Sequence, residues 1–178
     1  LHECLRSQRP VLYWLMSIGT RVLEVGAGSG RASILLKRLR PDKYIMATDA
    51  SQANCDIIKR YAQVTNVDIG VERCDALRLP FADKSFDIVF SVGLLEHYPD
   101  DWIIAALREQ SRVADAVLVE VPLDRYIINF RSLHGDERGL HKIHWLTLLS
   151  RVAPISEIHL YGGLIDEHAL LAILDTRA

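Results

Sequence analysis

"RVLEVGAGSGRASILLKRL", Arg21 to Leu39, is the stretch on which the reading of the whole chain turns. It opens on a short apolar run, Arg21–Val25, turns through Gly26, Gly28 and Gly30, and continues in good helix formers. Strand, glycine turn and helix in immediate succession make the first half of a strand–helix–strand unit, with the turn at the helix N-terminus. Pro41 cannot continue a helix, so the helical run ends before it.

Outward from this unit the alternation repeats. Tyr44–Thr48, Asp68–Cys74, Phe86–Ser91 and Ala116–Val121 are brief runs rich in β-branched or aromatic residues and bounded by turn or helix signals, as buried strands are. "SQANCDIIKRYAQV" starts at Ser51, a good N-cap, and "DDWIIAALREQSRVA" carries acids in its first turn, where the helix dipole favours them. The pattern predicts an α/β fold: a Rossmann-like, doubly wound, mostly parallel sheet of six or seven strands with helices on both faces. Beyond Val121 the pattern loosens. Pro122 to Lys142 reads as a polar connection, Trp145–Val152 as a helix and "SEIHLYG" from Ser156 as a strand, while "ALLAILD" fits either a last strand or a short helix.

The 178 residues suffice for one domain with a sizeable core, so a single unit over 1–178 is expected, with an N-terminal helix within 1–20 and a lid or acceptor loop over 122–144. A net charge of −2 gives no pull toward polyanions, which argues against a nucleic-acid partner. Cys4, Cys55 and Cys74 show no CxxC spacing and read as reduced thiols of a cytoplasmic protein. "VLYWLMSIG", Val11 to Gly19, follows Arg6 and Arg9 in the manner of a signal peptide but lacks a small-residue cleavage site, so a short core helix is the reading. No stretch is long enough to span a bilayer. The chain opens on Leu1 rather than Met, which leaves its natural start open.

Two cofactor fingerprints compete for the glycine turn. The nicotinamide pattern G-x-G-x-x-G accepts Gly26 and Gly28 but meets Arg31 at its third small position. The residues instead spell E-x-G-x-G-x-G from Glu24 to Gly30. At this motif the chain resembles the class I S-adenosylmethionine-dependent methyltransferases, and the resemblance extends through most of its length. "CDALRLPFADKSFDIVFSVGLLEHY", Cys74 to Tyr98, is similar to the corresponding run of the ubiquinone/menaquinone-type small-molecule branch. The resemblance implies S-adenosylmethionine as cofactor. Glu24, Gly26, Gly28 and Gly30 would then lie under its methionine portion, where bare backbone permits close approach and a carboxylate favours a cation. Asp49, followed by Ala50, would accept from the ribose hydroxyls, with capping of the helix at Ser51 as its competing role. Asp75 and Ala76 would meet the adenine, Ser91 and Gly93 the methionine end through backbone groups, and Asp87 would be structural.

Methyl transfer from an activated sulfonium relies on alignment, worth about 7–11 kcal/mol for a well-positioned pair, so no conspicuous catalytic residue is required. The base candidate is His97, whose alternative and favoured role is to anchor its own loop. His134, His141 and His144 could in principle gather around a metal, but their spacing matches no motif and no metal is expected. The chain lacks the Asn/Asp-Pro-Pro-Tyr run of exocyclic amine methylation, the Pro-Cys nucleophile of cytosine methylation and a basic, aromatic stripe for RNA, which leaves a small-molecule acceptor. Only 20 residues precede the first strand, fewer than the small-molecule members it resembles usually carry, so the acceptor pocket is expected to be shallow, completed by a homodimer or partner chain, or truncated. The competing functions are a catalytically silent, cofactor-binding family member acting through a partner and a nicotinamide oxidoreductase.

Overall fold

The computed structural model describes residues 11–124, 137–161 and 168–177. Seven strands form one sheet: β1 (Arg21–Val25), β2 (Tyr44–Asp49), β3 (Gly70–Arg73), β4 (Phe86–Val92), β5 (Ala114–Pro122), β6 (Ile155–Tyr161) and β7 (Ala169–Asp175). Their order across the sheet is β3-β2-β1-β4-β5-β7-β6. Strands β1 to β5 are mutually parallel, and β7 enters antiparallel between β5 and β6. "ALLAILD" is therefore a strand. Its near-complete burial removes the alternation that would have told strand from helix in the sequence. The third strand is shorter than Asp68–Cys74, and the fifth is longer than Ala116–Val121 at both ends.

The helices are α1 over 11–17, α2 (Arg31–Leu39), α3 (Gln52–Val64), α4 (Asp100–Val113) and α5 (Lys142–Ser150). Alternation along the strands divides the core into two faces. Ile88, Phe90, Leu118, Leu171 and Ile173 pack with Val11, Leu15 and Leu36 on the side of α1 and α2. Val117, Val119, Val121 and Ala172 pack with Ile103, Leu107, Trp145 and Leu149 on the side of α4 and α5. Burial of both faces explains why the strands read as nearly continuous apolar runs.

The N-terminal edge of the sheet is locked by one side chain. Asp87 accepts from the backbone N–H groups of Thr20 (2.6 Å) and Arg21 (2.9 Å) and from the Arg21 guanidinium at Nε (2.9 Å) and Nη2 (2.7 Å). Partial desolvation works to raise its pKa, but these donors outweigh it and hold the carboxyl at about 2. Asp87 thus ties β4 to the start of β1 at the edge opposite the glycine turn.

Candidate cofactor and acceptor site

The chain runs outward from β1 to β3, then returns to build β4 on the other side of β1, which makes β1/β4 the topological switch point. In open α/β sheets ligands bind beyond the carboxyl ends of the strands at such a point. The carboxyl ends of β1, β2, β3 and β4 and the segments that follow them all lie there, and they carry Gly26–Gly30, Asp49, Asp75–Ala76 and Ser91–Gly93.

The three glycines of the turn have left-handed backbones, with φ of 71°, 54° and 69°, but different surroundings. A Cβ at Gly26 would stand 2.6 Å from Leu94 Cδ1, and one at Gly30 would stand 2.7 Å from Ile58 Cγ2; at Gly28 it would meet nothing within 4 Å. Close approach by a ligand therefore concerns Gly28, whereas Gly26 and Gly30 admit the chain's own side chains. Gly30 is also the N-cap of α2.

Asp49 connects this turn to the next element. Its Oδ2 accepts from Gly28 N at 2.9 Å, and its Oδ1 accepts from Ser51 N at 2.9 Å and Asn54 Nδ2 at 3.1 Å. The carboxylate thus supports the entry to α3, the capping role weighed for Asp49, and in addition holds the turn at Gly28. Its backbone oxygen accepts from Cys74 N at 3.1 Å, which brings the end of β3 beside it. Asp75 is exposed and forms a tight turn, its Oδ1 accepting from Leu77 N and its backbone oxygen from Arg78 N. Ala76 is half-buried against the apolar cluster of Leu79 and Phe86.

Glu24 points elsewhere than a cation-facing carboxylate would. It is buried, and its Oε2 accepts from Ser33 Oγ (2.5 Å) and Ser33 N (3.2 Å). Burial pushes its pKa up to about 7, and the two bonds from Ser33 only moderate the rise. Glu24 fastens α2 to β1 beneath the turn.

Past β4, Gly93 takes φ of 63° and donates to Glu120 O at 3.1 Å. Leu95–His97 is a single turn of 3₁₀ helix that carries Glu96 and the half-buried His97. Glu96 is 4% exposed, and among the described residues its Oε2 has no hydrogen-bond partner. Burial raises its pKa to about 7, a rise to which Glu120 and Glu137 add and which His97 opposes. Glu120, at the end of β5, is likewise raised to about 7 by desolvation. The Tyr161 hydroxyl lies beside the Glu120 carboxylate, short of hydrogen-bond geometry. The sequence reading passed over both carboxylates. The one signal in the sequence is the charge of Glu120 inside the apolar strand "VLVEVP".

The histidines of the connection have local duties. His141 caps α5, accepting from Ile143 N, and His144 Nε2 lies 2.8 Å from Asp100 Oδ2, a carboxylate also held by Arg138 at 2.8 Å. His134 and the central part of the expected lid, 125–136, lie outside the described residues. Among the described residues no group of three His, Cys, Asp or Glu side chains is arranged to hold a metal. No described helix is long and apolar enough to cross a membrane.

A family model described as a methyltransferase domain matches residues 22–116, more than half of the chain and the segments that follow β1 to β4. The chain belongs to the methyltransferase-domain family. Among relatives of this methyltransferase domain, the 27-O-demethylrifamycin SV methyltransferase of Amycolatopsis mediterranei is 32% identical over 53% of this chain and 35% of its own length. The ubiquinone biosynthesis O-methyltransferase of Sinorhizobium fredii is 33% identical over 46% of this chain and 32% of its own length. The domain thus spans about a third of the length of the curated relatives it matches. In three dimensions the PH0226 protein of Pyrococcus horikoshii superposes with a TM-score of 0.82 at 17% identity, over 98% of this chain and 90% of that one. The magnesium protoporphyrin IX methyltransferase of Synechocystis does so with 0.77 at 16%, over 96% and 82%. These structures share the Rossmann-like fold expected from the sequence.

Proposed function

We propose that this domain binds S-adenosylmethionine at the β1/β4 switch point and directs its methyl group to a small-molecule acceptor. The observation that carries the reading is the open space over Gly28, flanked by Asp49 and by the turn at Asp75. When bound, the cofactor supplies a methyl group on a sulfonium, a carbon already activated for displacement.

The chain's residues take the following parts in this reading. Gly28 gives the backbone surface on which the methionine portion rests, with Gly26 and Gly30 shaping the turn around it. Asp49 exchanges part of its bonding at Ser51 and Asn54 for the ribose hydroxyls, and Ala50 lines the ribose. Asp75 and Ala76 receive the adenine. Ser91 and Gly93 bound the methionine end, and Glu24 acts indirectly by fixing α2. His97 holds the turn after β4, and catalysis comes from alignment. The relatives' acceptors include a rifamycin and a ubiquinone precursor, which supports a small organic acceptor here. Cys55 and Cys74 are free thiols, which supports a cytoplasmic setting. A homodimer or partner chain would complete the acceptor side.

Calorimetric titration with S-adenosylmethionine and, separately, with NAD tests the assignment. Binding of the former alone is expected, and Asp49→Ala should weaken it by about 1–3 kcal/mol, the scale for losing hydrogen bonds to a charged acceptor. Saturable binding of NAD with none of S-adenosylmethionine would overturn the reading. So would unchanged affinity in both the folded Asp49→Ala variant and a folded Gly28 variant carrying a side chain.

A further inference from the structure

Glu96 presents a problem that the cofactor reading does not solve. Among the described residues its buried Oε2 has no hydrogen-bond partner, and charging a carboxyl with one oxygen so enclosed costs several kcal/mol. Among the described residues the nearby guanidinium is already engaged. Arg138 donates its backbone N–H to Glu96 O, but its guanidinium goes to Tyr98 O at 2.6 Å and Asp100 at 2.8 Å. Among the described residues, no ion pair reaches either Glu96 or Glu120.

The carboxylate is also aimed. A Cβ placed on Gly93 would stand 3.4 Å from Glu96 Oε1, so the side chain folds back over the end of β4. Gly93 N bonds Glu120 O, which sets the partly exposed Glu120 beside the same strand end from β5. Two carboxylates from two elements therefore converge at the carboxyl ends of β4 and β5, where the methyltransferase reading brings the acceptor, and half-buried Leu94, Tyr98 and Trp102 of the following segment pack against the core.

Resting on the methyltransferase reading, we infer that Glu96 and Glu120 form a subsite for an organic ammonium group of the acceptor. Among the described residues, the charged groups acting on Glu96 are His97, Glu120 and Glu137, and Tyr161 lies beside Glu120; apart from His97 these are acids or a neutral phenol, so a cation is the complement. An ammonium would give Glu96 Oε2 the donor it lacks and draw both carboxyls into their charged form.

The test uses phenethylamine and phenylethanol, equal in shape and differing in charge, titrated by calorimetry at pH 8 into the full chain with and without S-adenosylhomocysteine. The amine is expected to bind at least tenfold more tightly than the alcohol. Glu96→Gln and Glu120→Gln should each abolish that preference without lowering the melting temperature or the affinity for S-adenosylhomocysteine. Equal affinity for amine and alcohol, or a preference that survives both substitutions, overturns the inference. An equal loss of S-adenosylhomocysteine affinity in the Gln variants also overturns it, by assigning the carboxylates to the cofactor's own ammonium. Failure of the unmodified chain to bind S-adenosylhomocysteine counts against the methyltransferase reading alone, because the amine comparison on the cofactor-free protein is decided separately.

Discussion

Residues that look equivalent in the sequence carry different loads in the structure, and the glycine turn shows it most clearly. Gly26, Gly28 and Gly30 all have positive φ, so any side chain at these positions brings backbone strain of about 1–2 kcal/mol. At Gly30 a Cβ would additionally press on Ile58, a fully buried residue of α3. At Gly28 the space is empty. Gly28→Ala should therefore cost only the strain, yet weaken S-adenosylmethionine binding at least tenfold by filling the surface on which the ligand rests. Gly30→Ala should cost more in stability, on the order of 3 kcal/mol once overpacking is added. Paired thermal melts and cofactor titrations separate the two positions. A Gly28→Ala variant with normal affinity would move the cofactor off this turn. At His97, where loop anchoring is the proposed role, His97→Ala should lower the melting temperature and leave cofactor affinity intact; a normal melt with collapsed methyl transfer to an identified acceptor would make it the base.

At the scale of elements, the two edges of the sheet divide the work, and a substitution at the quiet edge checks the division. Asp87 serves the N-terminal edge with backbone and guanidinium bonds and touches none of the segments at the opposite edge. Asp87→Ala should lower stability by about 1–3 kcal/mol through the stranded donors of Thr20 and Arg21, with cofactor affinity unchanged. Loss of affinity without loss of stability would contradict this separation. The parallel strands were legible because burial on both faces writes them as short apolar runs, and the helices because Ser51, Asp100 and Pro41 mark their ends. The same burial hid β7, whose seven residues carry no period. The site was legible where backbone chemistry dictates residue type, at Gly28 and at Asp49 after the second strand. It was illegible where two distant stretches meet, as Glu96 and Glu120 do, because nothing local to "LLEH" or "VLVEVP" records the other.

For the whole molecule, these enclosed acids set how stability depends on pH. Glu24, Glu96 and Glu120 each have an ordinary value of 4.5 and a folded value of about 7, raised chiefly by desolvation. Between those values the folded chain holds protons that the unfolded chain has released. Their contribution is fully present below about 4.5 and is lost as pH rises through 7. Asp87 acts in the opposite sense lower down: its folded value of about 2 lies under the ordinary 3.8, so its contribution is present above 3.8 and lost as pH falls through 2. The ligand-free protein should therefore be most stable near pH 4 to 5 and lose a few kcal/mol, on the order of one pKa unit's 1.4 kcal/mol per group or more, by pH 8. Urea unfolding at stepped pH measures the curve. Glu24→Gln should flatten the decline between pH 5 and 8, because the amide oxygen still accepts from Ser33 while the charge that burial penalises is gone. If unfolding free energy instead rises over that interval, these carboxyls are ionised at little cost in the folded chain, and the enclosure argued for Glu24 and Glu96 is wrong.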